Sequence, residues 1–81
     1  IDTRLELARV YFYVTEYDLA VEQYQAILAE NESDPDALWG LGDTYRVMGW
    51  TAEALPLVER ALALQPDHPY AAETLRQLRN E

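Results

Sequence analysis

The sequence of 81 residues contains no cysteine and no lysine, and it has one serine, Ser33, and one histidine, His68. Without cysteine, neither a disulfide framework nor a thiolate metal site can form. Without lysine and cysteine, and with one serine and one histidine, the usual pairs of nucleophile and base cannot be assembled. Residues 31–36 lack the central glycine of a calcium loop. We therefore predict that the protein is not an enzyme and that it holds no metal ion and no cofactor.

Long apolar runs are also absent from the sequence. No stretch approaches the roughly 20 apolar residues that are needed to span a bilayer. We therefore expect no membrane insertion and a soluble protein, whose compartment the sequence does not indicate. The sequence opens at Ile1 without a methionine and without a basic, apolar leader. We interpret it as a segment of a longer protein.

Basic residues are scarce. Fifteen acidic residues stand against six basic ones, all arginine, for a formal net charge of −9. A field of this sign repels phosphate backbones, so we predict no nucleic-acid partner. Acidic residues alternate across one predicted turn, at Glu30, Glu32, Asp34 and Asp36. They form either a hydrated turn or a site that attracts a basic partner segment, and we favour the hydrated turn.

What the sequence does contain is an internal repeat with a 34-residue step. This step separates Leu7 from Leu41 and Leu41 from Leu75. It also relates the pairs Tyr11 and Tyr45, Ala20 and Ala54, Leu28 and Leu62, and Pro35 and Pro69. A fixed period of this length is typical of proteins whose repeats stack on one another, because a single repeat cannot bury its apolar face alone.

Apolar residues at steps of three and four predict helices within each repeat. Pro35 fits a first helical position, with Ser33 and Asp34 before it as capping candidates. Gly49 ends this helix, because glycine takes the left-handed backbone conformation without a Cβ penalty. The 34-residue step then predicts the other helices. The predicted ranges are 3–14, 17–30, 35–48, 52–64 and 69–80.

Seven residues in each repeat carry a family resemblance. Repeat two has Leu41, Gly42, Tyr45, Gly49, Ala54, Ala61 and Pro66, and repeat one has Leu7, Ala8, Tyr11, Tyr17, Ala20, Tyr24 and Leu28. The pattern resembles the tetratricopeptide repeat, a helix–turn–helix unit of about 34 residues. Its small residues let two helices approach closely. The resemblance implies an all-α solenoid of five helices in a right-handed superhelix. Its parts are repeat 1 in residues 1–34, repeat 2 in residues 35–68 and a C-terminal capping helix in residues 69–81, within a single structural domain.

Two residues depart from this pattern. Thr15 stands where repeat two has Gly49, so we expect the first turn to end differently, with Thr15 capping the next helix. Pro56 lies inside the fourth predicted helix, where proline removes a backbone hydrogen bond and crowds the preceding turn. We expect this helix either to bend in its first turn or to start near Leu55, and we favour the late or distorted start.

The two ends of the stack differ in polarity. In the fifth helix, Arg76 and Arg79 take the places of Gly42 and Tyr45. The outer face of this helix is therefore polar, as the last unit of a solenoid requires. Residues that can cover repeat two are Ala71, Ala72, Leu75 and Leu78. The first helix, by contrast, is apolar nearly all round, with Ile1, Leu5, Val10, Phe12, Tyr13 and Val14. Either further repeats precede it, or its surface meets another chain.

The resemblance further implies a concave groove, lined by the first helix of each repeat, that holds a peptide or helix of a partner protein. Carried onto this chain, the groove residues are Leu5, Arg9, Phe12, Tyr13, Trp39, Asp43, Arg46, Val47, Tyr70, Glu73 and Gln77. Family members that hold a C-terminal carboxylate use lysine and asparagine at such positions. This chain has Leu5 and Arg9, then Trp39 and Asp43, there instead, so we do not expect it to bind a chaperone tail.

The groove is rich in aromatic and arginine residues, which are enriched at interface hot spots. We predict a protein-interaction module with Trp39 as its main anchor, and with an acidic group of the partner facing Arg9 or Arg46. The alternative that Phe12, Tyr13 and Trp39 merely pack between repeats stays open. Two further alternatives are self-association through the first helix, as a homo-oligomer or structural scaffold, and a regulatory appendage of a larger enzyme.

Overall fold

The computed structural model describes residues 3–80, and it contains five α-helices and no strand within that range. The helices are α1 (Thr3–Tyr13), α2 (Tyr17–Glu30), α3 (Pro35–Val47), α4 (Thr51–Leu64) and α5 (Ala71–Arg79). The predicted all-α helical-repeat fold is confirmed. The predicted apolar position Ile1 lies outside the described residues. None of the five helices combines the length and apolarity that a membrane crossing requires.

Capping groups explain where α3 begins and ends. The Asp34 carboxylate accepts hydrogen bonds from the backbone N–H groups of Asp36 and Ala37, at 3.0 and 3.2 Å. Pro35 occupies the first position of the helix, where a missing N–H has no consequence. Gly49 follows the helix with a φ of +85°, in the left-handed region. Asp34 and Gly49 therefore delimit α3 as the sequence predicts.

Thr15 shows that the two hairpin turns have the same backbone conformation. Its φ is +63°, although it is not glycine. The backbone N–H of Glu16 bonds to the Tyr11 carbonyl at 2.8 Å, and that of Trp50 bonds to the Tyr45 carbonyl at the same distance. The prediction that Thr15 caps α2 is wrong, because its hydroxyl donates a hydrogen bond to the Val14 carbonyl instead. The repeated packing of the hairpins holds threonine in the conformation that glycine takes in repeat two.

Pro56 lies inside α4 without delaying its start. The helix begins at Thr51, and the Ala54 N–H bonds regularly to the Trp50 carbonyl at 3.0 Å. The predicted late start near Leu55 is therefore wrong. Proline deletes the bond to the carbonyl of Ala52, and both Ala52 and Pro56 are exposed. Because that side of the helix faces solvent, water can satisfy the carbonyl.

Two apolar clusters hold the helices together. The first lies among α1, α2 and α3 and consists of Ala8, Ala20, Tyr24, Ile27, Ala37 and Leu41. The second lies among α3, α4 and α5 and consists of Leu38, Ala54, Val58, Ala61, Ala71 and Leu78. Gly42 permits the close approach of α3 and α4, because a Cβ there would lie 2.6 Å from Val58 Cγ2. Helix α3 therefore belongs to both clusters and joins the two hairpins.

Helix α5 packs on α3 and α4, but it differs in detail from the prediction. It begins at Ala71 rather than at Pro69, and the His68 ring accepts hydrogen bonds from the backbone N–H groups of Tyr70 and Ala71 at this start. Ala72 is exposed, and Thr74 is buried in its place. The guanidinium groups of Arg76 and Arg79 are exposed, as the sequence predicts for the outer face.

Candidate functional site

A cavity of about 230 Å³ opens where α1, α2 and α3 meet the turn before α5. Most of its lining is aromatic, with two charged residues, one on α1 and one on α3. The lining residues are Arg9, Phe12, Tyr13, Tyr24, Trp39, Gly40, Asp43 and Tyr70. Three helices and one turn thus contribute to a single concave site.

Tyr24 and Gly40 together form one side of this cavity. A Cβ at Gly40 would overlap the ring of Tyr24, so only glycine leaves room for the tyrosine at its observed position. Tyr24 is 2% exposed. Its hydroxyl forms no hydrogen bond with any of residues 3–80, and it opens onto the cavity. A buried phenol that meets only the cavity is available to a ligand.

The ionisation state of Tyr24 follows from the same burial. Desolvation raises the pKa of Tyr24 to about 12, against the opposing effect of the nearby Arg9 charge. The phenol therefore keeps its proton at neutral pH. It presents the cavity with a neutral group that can donate one hydrogen bond and can also accept one.

Trp39 forms a wall of the cavity and also fixes α5. Its indole Nε1 donates a hydrogen bond to Thr74 Oγ1 at 2.9 Å. Its ring lies 5.1 Å from the Tyr70 ring and 5.4 Å from the His68 ring, between centroids. Trp39 is also packed against the second apolar cluster. It therefore connects the cavity to the docking of the last helix.

The opposite wall comes from the end of α1. Phe12 makes edge contacts with the rings of Tyr13 and Tyr17, at centroid distances of 6.1 and 5.6 Å. Phe12 packs against the first apolar cluster, whereas Tyr13 is 75% exposed. Tyr70 is 53% exposed. Tyr13 and Tyr70 are thus the two lining tyrosines that present most of their surface to solvent.

Of the two charged residues that line the cavity, Asp43 forms an ion pair and Arg9 does not within residues 3–80. Asp43 Oδ1 accepts a hydrogen bond from Arg46 Nε at 3.0 Å and forms an ion pair with Arg46 Nη2 at 2.9 Å. Arg9 makes no ion pair and no hydrogen bond with any of residues 3–80. Arg9 is therefore a lining cation that no carboxylate of residues 3–80 engages, in a chain whose overall charge is −9.

A family model for the tetratricopeptide repeat matches residues 5–69. The chain belongs to the tetratricopeptide repeat family. No curated protein matches the sequence significantly. Tetratricopeptide repeats generally mediate protein–protein interaction, and they are typically not enzymes.

The tetratricopeptide geometry brings six of the eleven predicted groove residues to the cavity: Arg9, Phe12, Tyr13, Trp39, Asp43 and Tyr70. The other five do not line it. Leu5 packs against the first apolar cluster, and Arg46 pairs with Asp43 from outside the lining. Val47 is exposed, and Glu73 binds Arg76 and Gln77 on the surface of α5.

Sequence reasoning missed Tyr24 and Gly40 as lining residues. The tetratricopeptide groove is expected on the first helix of each repeat, whereas Tyr24 is on a second helix. One signal was present in the 34-residue step, because Tyr24 corresponds to the smaller Val58. A large residue in α2 needs a small one opposite it, and Gly40 in α3 provides that space.

Proposed function

We propose that this tetratricopeptide chain is an interaction module that holds a segment of a partner protein in the aromatic cavity. The observation that carries this proposal is the pair of exposed tyrosines, Tyr13 and Tyr70, at a concave site with Trp39 behind them. Tyrosine, tryptophan and arginine are the residue types that dominate interface energies. An apolar side chain of the partner lies between the rings, and the surrounding polar groups orient the segment.

The same groups argue against a catalytic role for the cavity. Asp43 is engaged by Arg46, and the Tyr24 phenol holds its proton at neutral pH. Neither group is therefore suited to accept a proton from a substrate. We accordingly propose binding without chemistry at this site.

Peptide selection tests the proposal directly. Twelve-residue peptides displayed on phage are selected against the chain, and their contacts are mapped by amide chemical shifts. We expect the shifts to cluster at the cavity and Tyr13→Ala to weaken binding at least about tenfold, the loss typical of a hot-spot residue. The exposed Trp50 lies outside the lining, so Trp50→Ala is the matched control and should leave the affinity unchanged. Peptides that bind elsewhere, or that tolerate Tyr13→Ala, would refute cavity binding.

A second candidate function is self-association through α1. One 34-residue step carries the exposed residues Leu7, Val10 and Val14 onto Leu41, Thr44 and Met48. In α3, Leu41 and Thr44 are buried, and Leu41 belongs to the cluster that includes residues of α2. By this comparison, the stripe on α1 is suited to receive another helix.

The partner that we propose for this stripe is α1 of a second copy. In the first hairpin, one side of α2 packs against α3. In the second hairpin, the corresponding side of α4 packs against α5, so it is already covered within one chain. Among the helices of residues 3–80, the one that presents such an uncovered apolar stripe is α1 itself. We therefore propose that two copies associate through α1 against α1, at concentrations where such a small interface can form.

Light scattering at increasing protein concentration tests this association. We expect the mean mass to rise toward that of a dimer, and Val10→Glu to restore the monomer because it buries a charge in the interface. Ala63→Glu makes a similar charge change at an exposed position of α4 and should leave the dimer intact. A monomer at every concentration up to about millimolar would exclude a role for α1 in self-association.

A further inference from the structure

Two polar groups at the cavity have no hydrogen-bond partner among residues 3–80. The Tyr24 hydroxyl and the Arg9 guanidinium both line it, and neither makes a hydrogen bond with any of residues 3–80. Tyr24 is almost completely buried, so bulk water reaches its hydroxyl only through the cavity. Both groups can donate hydrogen bonds. A ligand atom that accepts two hydrogen bonds would satisfy both.

We propose that the cavity binds a carboxylate on a side chain of the partner segment, held by Arg9 and Tyr24. This inference rests on the proposed function, because it names the chemistry of the segment that the cavity holds. The guanidinium provides a fork that matches a carboxylate, and the phenol provides one further donor. The apolar stem of the side chain lies against the rings of Trp39 and Tyr70.

The charged groups that are already engaged favour an anion over a cation as the ligand. A lysine or arginine of the partner would have to use Asp43, which Arg46 already engages through a hydrogen bond and an ion pair. It would also approach the positive charge of Arg9. A neutral amide can accept from Arg9 and Tyr24, but it forms weaker hydrogen bonds than a carboxylate does. The remaining ionisable neighbour, Asp36, is bonded to His68.

The aromatic walls favour a side-chain carboxylate over a chain terminus. Trp39, Tyr70, Phe12 and Tyr13 surround the polar pair with apolar ring surface. A glutamate has two methylene groups that can lie on such surface while its charged end reaches Arg9. A terminal carboxylate is attached directly to the backbone and has no such stem. We therefore assign the site to glutamate in an internal segment.

Two small probes isolate the carboxylate from the rest of a peptide. They are 3-phenylpropionate and its neutral isostere 3-phenylpropionamide, each titrated into the labelled chain and followed by amide chemical shifts. We expect the carboxylate to bind with a dissociation constant on the order of a few millimolar, at least about tenfold tighter than the amide. The shifts should centre on Tyr24 and Gly40. Equal binding of both probes, or no binding at the cavity, would overturn the assignment.

Conservative variants test the two donors separately. Tyr24→Phe keeps the ring against Gly40 and removes only the hydroxyl, and Arg9→Gln removes the charge. Each should reduce the preference for carboxylate over amide by about threefold to tenfold. Thermal unfolding should be unchanged, because neither group bonds to another part of the described chain. Tyr11→Phe and Arg60→Gln are matched controls outside the cavity, and they should leave the preference intact. A preference that survives both Tyr24→Phe and Arg9→Gln would exclude these donors.

The selected peptides distinguish failure of this inference from failure of the proposed function. Each peptide is synthesised with an amidated C-terminus, with glutamate and with glutamine at the same position. A loss of at least about tenfold with glutamine supports the carboxylate site. Peptides that bind at the cavity with no such loss would refute the inference and leave the proposed function standing. If only peptides with a free C-terminus bind there, the side-chain assignment is wrong. If no peptide binds there while 3-phenylpropionate does, the proposed function fails.

Discussion

Replacing Trp39 with alanine is expected to lower the free energy of unfolding by about 3 kcal/mol. The indole packs against the second apolar cluster and contacts the rings of His68 and Tyr70. Its removal also leaves the buried Thr74 hydroxyl without its hydrogen-bond donor. A chain of this length has a total stability of only about 4–12 kcal/mol, so the change is a large part of it.

The effect of Trp39→Ala should be concentrated in α5. Helix α5 is short, and Trp39 bonds directly to Thr74 within it. We expect urea unfolding to show the loss of stability and hydrogen exchange to be fastest, relative to wild type, at residues 71–79. Trp39→Phe keeps an aromatic ring without the N–H and should recover more than half of the lost stability.

Trp50 provides the control for the loss of an indole. It is an exposed residue that stacks on Tyr45 at a centroid distance of 5.2 Å, away from the cavity. Trp50→Ala should cost about 1 kcal/mol or less. If Trp39→Ala were no more destabilising than Trp50→Ala, the indole would not be what holds α5. Trp39 both lines the cavity and holds α5, so its replacement would affect binding and stability together. Tyr13 is therefore the better residue with which to test binding alone.

The helices follow from the sequence because the repeat relates each position to another. The predicted range of α2 agrees with the structure at both ends, and α3 starts at the predicted residue. The 34-residue step carried the apolar stripe of one hairpin onto the other. At Thr15 the expectation of a different turn was wrong, because the residue type changed but the backbone conformation did not. Packing of two similar hairpins outweighs the local preference of one threonine.

The cavity was only partly predictable, for a physical reason. Six of its residues are groove positions that the tetratricopeptide resemblance implies, so they could be named in advance. Its depth depends on the contact between Tyr24 in α2 and Gly40 in α3. The spacing of residues within one helix does not reveal such a contact between two helices. The pairing of Asp43 with Arg46 was not predictable either, because only the structure shows that Arg46, and not Arg9, engages this carboxylate.

His68 takes over, in α5, the capping role that Asp34 has in α3. One 34-residue step relates the two residues, and each accepts hydrogen bonds from the N–H groups two and three residues later. In His68 the acceptor is Nδ1, with both bonds at 3.2 Å. The ring proton is therefore assigned to Nε2, which donates to Asp36 Oδ1 at 2.8 Å. One buried ring thus caps α5 and ties it to the start of α3.

Replacing His68 with alanine should therefore lower the free energy of unfolding by about 2–3 kcal/mol, because the cap and the bond to Asp36 are both lost. Asp34→Ala removes only a partly exposed cap and should cost about 1 kcal/mol. His68→Asn restores an acceptor for the two N–H groups, and we expect it to recover about 1 kcal/mol. Urea unfolding of the three variants measures these differences. Equal losses for His68→Ala and Asp34→Ala would show that the bond between His68 and Asp36 contributes nothing to the docking of α5.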